Sequence, residues 1–138
     1  MKYYFLNINE LTEDDSSLIL GWFKINDVEI VKETKCIILI ALSDLAYGLI
    51  KMKNKSNAKY AWTPCDSGEC ITFERKKSTL KVLYKNNEIN LQFEVFYNEL
   101  LEMIKNISEE MYTLRNAVKN EVAFVDLIKI LNSKEYIL

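Results

Sequence analysis

The stretch TKCIILIALSDLAYGLIKMK, residues 34–53, decides the fold that the sequence predicts. Apolar side chains recur in it at helical spacing, namely at Ile37, Ile40, Ala41, Leu45, Gly48, Leu49 and Met52. Ile38, Leu39 and Leu42 widen this stripe almost all round the helix. We therefore expect a helix that is largely buried, against a sheet on one side and another element on the other.

Strands are predicted before and after this helix. Residues 2–8 are aromatic and β-branched, as strands are. Residues 18–25 and 28–31 flank Asn26 and Asp27, which tolerate the left-handed region of backbone space and so predict a two-residue hairpin. After the helix, a β-meander is predicted from four short segments, residues 59–62, 70–74, 79–85 and 88–94.

The apolar period changes near Phe96, where a long helix over residues 96–118 is predicted. Its stripe consists of Tyr97, Leu100, Ile104, Ile107, Met111, Leu114 and Val118, and the opposite face carries Glu99, Glu102, Lys105, Glu109 and Glu110. The stripe could also be a coiled-coil seam. The intramolecular interpretation is favoured, because a helix that covers a sheet needs the same residues.

A shorter helical pattern follows, through Val122, Val125, Ile128 and Leu131. The order of strands, helix, strands and helices predicts an α+β fold in a single domain of residues 1–138. Its sheet should be mainly antiparallel, built from the N-terminal strand, the hairpin and the meander. The helix of residues 34–53 and the long C-terminal helix should pack on it.

Composition limits the classes of function. The chain has 138 residues, of which 49% are hydrophobic and 28% charged, as in a globular domain. Its 18 basic and 20 acidic residues are too balanced to suggest a nucleic-acid-binding surface, so no direct nucleic acid partner is expected. The most apolar run, residues 36–50, is short for a bilayer span and contains Asp44, and no signal segment precedes it. A cytoplasmic protein without a membrane partner is predicted.

The stretch TPCDSGEC, residues 63–70, is the most suggestive of a chemical site. Zinc needs about four ligands, and this chain has three cysteines and no histidine, so a site would have to recruit Asp66. Redox pairs usually have two residues between their cysteines, whereas Cys65 and Cys70 have four. A turn between two strands is favoured, with Pro64 and Gly68 supplying the backbone geometry. Neither a metal nor another cofactor is expected.

Catalytic signals are weak. The chain lacks histidine, the commonest general base, and its three glycines form no phosphate-binding loop. Asp66 and Glu69 could act as a carboxylate pair, but acidic residues in turns usually face solvent. Asp44 lies either at the exposed edge of its helix or in a buried functional position. We predict that the protein is not an enzyme and has no catalytic residues.

The order of four segments carries a resemblance to a known family. They are NDVEIV, TKCIILIALSDLAYGLIKM, AWTPCDSGECITFERKKSTLKVLY and EINLQFEVFYNELLEMIKNI. In this order, over roughly residues 17–118, the chain resembles the small cytoplasmic immunity proteins of bacterial polymorphic-toxin and contact-dependent growth-inhibition systems. The resemblance implies a protein that inhibits one cognate toxin domain, often a nuclease, by binding to its active region.

Candidate partner-binding residues follow from this hypothesis. Acidic side chains in two loops could complement a basic toxin surface, and aromatic side chains are the usual anchors of interfaces. The candidates are Glu13, Asp14, Asp15, Asp66 and Glu69 in the loops, with Tyr60 and Trp62 as anchors. The alternative is a small regulatory or structural homodimer without catalytic activity, built on the stripe of the long helix.

Overall fold

The computed structural model describes residues 1–5, 20–64, 67–114 and 129, and these form an α+β fold. The N-terminal sheet is antiparallel. Its order is β1-β2-β3, and the short strand β4 also pairs with β2. These strands are β1 (Lys2–Phe5), β2 (Leu20–Ile25), β3 (Val28–Ile30) and β4 (Cys36–Ile37).

The second sheet is an antiparallel meander in the order β5-β6-β7-β8. Its strands are β5 (Asn57–Trp62), β6 (Ile71–Lys76), β7 (Thr79–Tyr84) and β8 (Asn87–Gln92). In sequence, helix α1 (Ile38–Lys53) follows the strands of the first sheet and precedes those of the second. Helix α2 (Phe93–Leu114) follows the meander directly. The predicted α+β class, the meander and the two helices are confirmed.

Several boundaries differ from the prediction. The strands form two separate sheets, and α1 begins at Ile38 because the two residues before it pair with β2. Helix α2 begins at Phe93, three residues earlier than predicted, where the Phe93 N–H donates to the Ser78 carbonyl at 2.8 Å and the ring is buried. Residues 6–8, 18–19 and 115–118 of the predicted elements lie outside the described residues, as does the final helix except for Lys129.

The hairpin between β2 and β3 has the predicted two-residue turn. Ile25 pairs with Val28, and Asn26 takes a φ of 53°, in the left-handed region that asparagine tolerates. The β6–β7 and β7–β8 hairpins of the meander are equally short, and the first residue of each turn, Lys77 and Lys85, also has a positive φ. Local turn chemistry thus accounts for three of the antiparallel strand pairs, β2–β3, β6–β7 and β7–β8.

One hydrophobic cluster joins both sheets and both helices. Four aromatic rings run through it from β2 to α2: Phe23 lies 5.3 Å from Trp62, Trp62 lies 6.3 Å from Phe73, and Phe73 lies 5.9 Å from Phe96, between centroids. Helix α1 contributes eight buried apolar side chains to this cluster, namely Ile38, Leu39, Ala41, Leu42, Leu45, Ala46, Leu49 and Met52. The prediction of a largely buried helix is therefore confirmed.

The meander has one core face and one solvent face. Tyr60, Phe73, Val82 and Ile89 are neighbours across its four strands and point toward the core. The adjacent row on the other face runs from Lys59 through Glu74 to Lys81 and Asn90, with an ion pair of 3.3 Å between Lys59 and Glu74. This alternation is typical of an antiparallel sheet covered on one side.

Arg75 fixes the end of α1 to the meander. Its Nη1 donates to the carbonyls of Met52 and Lys53, at 2.8 and 3.0 Å, and its Nε donates to the Lys77 carbonyl at 2.7 Å. The last carbonyls of a helix lack intrahelical partners, and a cation there also interacts favourably with the helix dipole. The guanidinium carbon lies 3.9 Å from the ring centroid of Phe93, so Arg75 also contacts the start of α2.

Candidate protein-binding surface

One stripe of α1 remains outside the core. Ile40, Asp44, Tyr47 and Lys51 follow one another at steps of four, three and four residues, and all four side chains are exposed. Ile40 is 40% exposed and Tyr47 is 55% exposed. They lie about 10 Å apart along the helix axis, since the rise is about 1.5 Å per residue. We call these four residues, with Tyr60 at their border, the α1 face.

Tyr47 occupies the centre of the α1 face and is partly ordered by its neighbour. The Lys51 Nζ atom lies 4.2 Å from the centroid of the Tyr47 ring, a cation–π distance. Tyrosine is one of the residues that contribute most to protein–protein affinity, because it combines a large apolar ring with a polar group. The exposed ring is therefore suited to be a contact for a partner.

Tyr60 borders the α1 face and is half-buried. Its hydroxyl donates to the backbone carbonyl of Asp44 at 2.8 Å. Burial raises the pKa of the Tyr60 hydroxyl, and the neighbouring Asp44 carboxylate raises it further, so the group remains a neutral donor. The ring covers Gly48, where a Cβ would lie 2.3 Å from the Tyr60 Cε1 atom. Glycine at this position thus permits the close approach of α1 and β5.

Gly48→Ala is expected to destabilise the protein by about 1 to 2 kcal/mol, within the range for overpacking. The added methyl group would displace the Tyr60 ring and break its hydrogen bond to Asp44. In a Tyr60→Ala background the same change should stabilise by up to about 1 kcal/mol, because alanine is the better helix former. Urea denaturation of the four proteins measures this. An equal effect of Gly48→Ala in both backgrounds would show that the ring does not contact the glycine.

Trp62, a predicted partner contact, is instead a core residue. Its side chain is fully buried, and its Nε1–H donates to the Ala41 carbonyl at 2.9 Å. Strand β5 alternates its side chains between two faces, and this face is covered by α1. The indole therefore joins helix and sheet and offers no surface to a partner in this structure.

Glu69, another predicted contact, is engaged within the protein. Its carboxylate accepts hydrogen bonds from the Thr34 hydroxyl at 2.7 Å and the Tyr84 hydroxyl at 2.7 Å, and Lys85 Nζ lies 3.0 Å from it. The Tyr84 hydroxyl in turn accepts a bond of 3.3 Å from the Val31 N–H. These residues, which we call the Glu69 cluster, connect the β3–β4 loop to the meander.

The turn before β6 places Glu69 in this cluster. The Ser67 N–H and hydroxyl both donate to the Pro64 carbonyl, at 3.1 and 2.6 Å, and the Glu69 N–H donates to the Ser67 oxygen at 3.2 Å. Gly68 has a φ of 71°, which glycine adopts without strain. The predicted turn between two strands is confirmed for these residues, while Cys65 and Asp66 lie outside the described part of the chain.

The charge of Glu69 is stabilised by its donors. Partial burial on its own would raise the pKa of Glu69, but the hydrogen bonds from Tyr84, Thr34 and Lys85 outweigh it, and the pKa lies below its ordinary value. Burial raises the pKa of Tyr84, and the bond to the Glu69 carboxylate raises it further. Near pH 7 the cluster therefore contains an anionic carboxylate and a neutral phenol.

Glu69→Gln is expected to lower the free energy of unfolding by about 1.5 to 3 kcal/mol at pH 7, the range for hydrogen bonds to a charged group. Because the folded-state pKa of Glu69 lies below the unfolded value, its contribution is complete above the ordinary value of 4.5 and is lost as the pH falls through the folded-state pKa. The difference between wild type and variant should shrink accordingly in acid. Denaturation at a series of pH values measures it.

Glu88→Gln serves as the control for this experiment. Glu88 pairs with Lys81 at 3.2 Å, but its side chain is 52% exposed, and exposed ion pairs contribute little. Its replacement should change stability by less than about 0.5 kcal/mol at every pH. Equal losses of stability in the two variants would show that Glu69 contributes only as one of the negative charges of the surface and not through its three donors.

The remaining residues that the sequence singled out are four loop acids and Asp44. Glu13, Asp14, Asp15 and Asp66 lie outside the described residues. Asp44 is exposed, which is the first of the two positions considered for it. Cys36 is buried and Cys70 is exposed. Across residues 1–5, 20–64 and 67–114, no group of three or more histidine, cysteine, aspartate or glutamate residues could hold a metal ion, and no helix could span a membrane.

Ile40 and Tyr47 were not predicted as contacts. Ile40 was assigned to the buried stripe of its helix, but it is 40% exposed, because neither sheet covers that side of α1. A signal was present in the sequence: Ile40, Asp44, Tyr47 and Lys51 lie on one side of the helix, and two of the four are charged. A charged pair on an otherwise apolar helix marks the side that faces solvent.

These observations define a small α+β domain in which a buried helix joins two antiparallel sheets and exposes one mixed apolar and charged stripe. Comparison of the chain with protein-family models, with curated proteins and with solved structures found no match in any of the three.

Proposed function

We propose that the protein is an immunity protein that binds one cognate bacterial toxin domain in the cytoplasm and blocks its active region, without catalysing a reaction. The observation that carries the proposal is the α1 face, where the exposed Ile40 and Tyr47 alternate along the helix with the charged Asp44 and Lys51. The order of segments along the chain, which resembles such immunity proteins, is the second support. The toxin domain could be a nuclease, as the resemblance implies.

The α1 face has the composition of a protein-binding site. Interfaces commonly place aromatic and apolar side chains at the centre and charged side chains at the rim. Tyr47 is central here, and the two rim charges have opposite signs, which suits a partner surface of mixed charge. Tyr60, a predicted anchor, remains a proposed contact at the border of the face, where its half-buried hydroxyl donates to the Asp44 carbonyl.

The acidic loops have different parts in this proposal. Glu69 is held by three donors, so its contribution is to position the turn before β6. Glu13, Asp14, Asp15 and Asp66 remain proposed contacts that would mainly accelerate association with a basic toxin surface.

The homodimer alternative receives less support. It was based on the stripe of α2, but Tyr97, Leu100, Ile104 and Ile107 are all buried within the chain. A homodimer would therefore have to use another surface, such as the α1 face itself. The two functions are distinguished by what occupies that face, which the following experiment determines.

Tyr47→Asp is expected to weaken binding of the toxin domain by about 30-fold or more, which corresponds to the loss of one strong interface contact. Growth of cells that express the toxin domain captured with this protein should be rescued by the wild-type chain and much less by the variant. Dissociation rates measured on the purified pair should rise more than association rates fall, because the contact is made only after docking.

Val95→Asp is a matched control. Val95 is 56% exposed and lies on α2 rather than on α1, so this variant should protect cells as the wild type does. If both variants protect equally, the toxin domain binds elsewhere. If no captured domain inhibits growth, or if the chain forms stable dimers that Tyr47→Asp dissociates, the immunity proposal is wrong and the homodimer alternative replaces it.

A further inference from the structure

Five basic residues of the chain lie together at one end of the structure. Arg75 donates to the Met52 carbonyl, the Lys77 N–H donates to the Ser56 carbonyl at 2.6 Å, and Lys76 pairs with Asn57. These contacts bring the α1–β5 connection beside the β6–β7 hairpin. The cations that they gather, which we call the basic end, are Lys53, Lys55, Arg75, Lys76 and Lys77.

The overall charge conceals this concentration. Residues 51–59 and 74–77 contain seven of the 18 basic residues and one of the 20 acidic residues, which leaves 11 basic and 19 acidic residues elsewhere. These two segments thus carry a net charge of +6 and the rest of the chain carries −8, within a total of −2. Charges of one sign gathered on one surface create a local potential that attracts counter-ions.

Three of these cations have side chains without a salt-bridge partner among the described residues. Lys55, Lys76 and Lys77 are exposed, and none of them forms a salt bridge with a described carboxylate. Glu74, the acidic residue of the two segments, pairs instead with Lys59. Arg75 contacts the ring of Phe93 at the start of α2. The next residue, Glu94, carries a carboxylate in the first turn of that helix.

The other two cations have partial roles in the fold. Arg75 directs its N–H groups to backbone carbonyls, so its planar fork is not available for a ligand. The Lys53 Nζ atom lies 4.5 Å from the Tyr97 ring centroid, which leaves its N–H donors able to reach a second group. The basic end therefore offers lysines as mobile point charges and no free guanidinium.

We infer that the basic end binds the phosphate backbone of a nucleic acid without sequence preference. The balanced composition argues against nucleic acid binding only if acidic and basic residues are mixed over the surface. Here the basic residues of two segments lie together at one end. Nucleic acid is a dense linear polyanion, and each phosphate neutralised by a lysine releases condensed counter-ions. Lysines that act as point charges contact phosphates but cannot read bases as a bidentate arginine does.

Two other anionic partners fit less well. Exposed ion pairs with the carboxylates of a protein contribute little to affinity. An anionic membrane would attract the lysines, but lasting attachment generally requires a second, apolar signal. None of the exposed large apolar side chains among the described residues, Leu20, Ile40, Tyr47 and Val95, belongs to the basic end. A nucleic acid needs no such anchor.

Fluorescence polarisation with a labelled mixed-sequence single-stranded RNA of about 20 nucleotides, longer than the about 4 to 16 nucleotides that single-strand-binding folds cover, tests the inference. The full chain should bind at about 50 mM salt and weaken steeply by about 200 mM. Lys76→Gln with Lys77→Gln should reduce the slope of log K against log salt by about 1.4, since each contact with single strands contributes about 0.7. The sequence of the oligonucleotide should have little effect.

Lys2→Gln with Lys105→Gln is the matched control, since both lysines are exposed, lie on β1 and α2, and remove the same charge. This pair should leave the slope nearly unchanged. Thermal unfolding of both variants verifies that they remain folded. Absence of binding at about 50 mM salt, equal slope changes in the two variants, or preferential binding to phosphatidylserine vesicles or polyglutamate would each overturn the inference.

Discussion

Trp62→Ala is expected to lower the free energy of unfolding by about 3 to 5 kcal/mol, the range for removing a buried aromatic side chain. The indole is fully buried between Phe23 and Phe73, with ring centroids at 5.3 and 6.3 Å. Its loss would open a cavity where the two sheets meet and would leave the Ala41 carbonyl without the Trp62 donor. Urea or thermal denaturation measures the change.

Trp62→Phe separates the two causes. Phenylalanine keeps an aromatic ring in the cluster but removes the Nε1–H, so we expect a loss of about 1 to 3 kcal/mol from a smaller cavity and the lost hydrogen bond to Ala41. Binding of a partner by the folded fraction should be unchanged in this variant, because the ring is not exposed. A variant that is fully stable yet binds a partner more weakly would mean that Trp62 is a contact after all.

The case of Trp62 shows where sequence-based prediction stopped. Tyr60 and Trp62 lie on the same face of β5, as alternation along a strand requires. Alternation does not show which element covers that face, because this depends on how α1 packs against β5. The same pattern therefore describes an anchor for a partner and a core residue equally well.

Local signals were the most reliable. The hairpin at Asn26, the turn at Gly68 and the apolar stripe of α1 each depend on residues close together in the chain, and each is present. The start of α1 was misplaced because the pairing of β4 with β2 joins residues that lie 15 or more positions apart. Periodicity within the helix contains no information about that pairing.

Features of the candidate sites required the three-dimensional arrangement. Glu69 appeared to be an exposed loop acid, but its donors come from Thr34, 35 positions earlier, and from Tyr84, 15 positions later. The basic end likewise combines two segments that are separated by most of the meander's first two strands. The net charge of the whole chain averages over these segments and so argues against nucleic acid binding. The proximity of the two segments argues for it.

Ile104→Ala is expected to lower the free energy of unfolding by about 2 to 5 kcal/mol, whereas Glu102→Ala should change it by less than about 0.5 kcal/mol. Ile104 is fully buried in the stripe that α2 packs on the core, and Glu102 is exposed two residues away. Both substitutions introduce alanine, so the good helix propensity of the new residue is common to them. The difference between the variants therefore reports packing.

The same pair of variants tests the homodimer built on α2. In a monomer the loss at Ile104 is independent of protein concentration, whereas a stripe that formed an intermolecular seam would give a Tm that rises with concentration. We expect the Tm of the wild type and of Ile104→Ala to stay constant over a hundredfold range of concentration, about the range in which mass action would shift it by a measurable amount. Equal small losses at Ile104 and Glu102 would contradict the buried position of the stripe, and a concentration-dependent Tm would assign it to an interface.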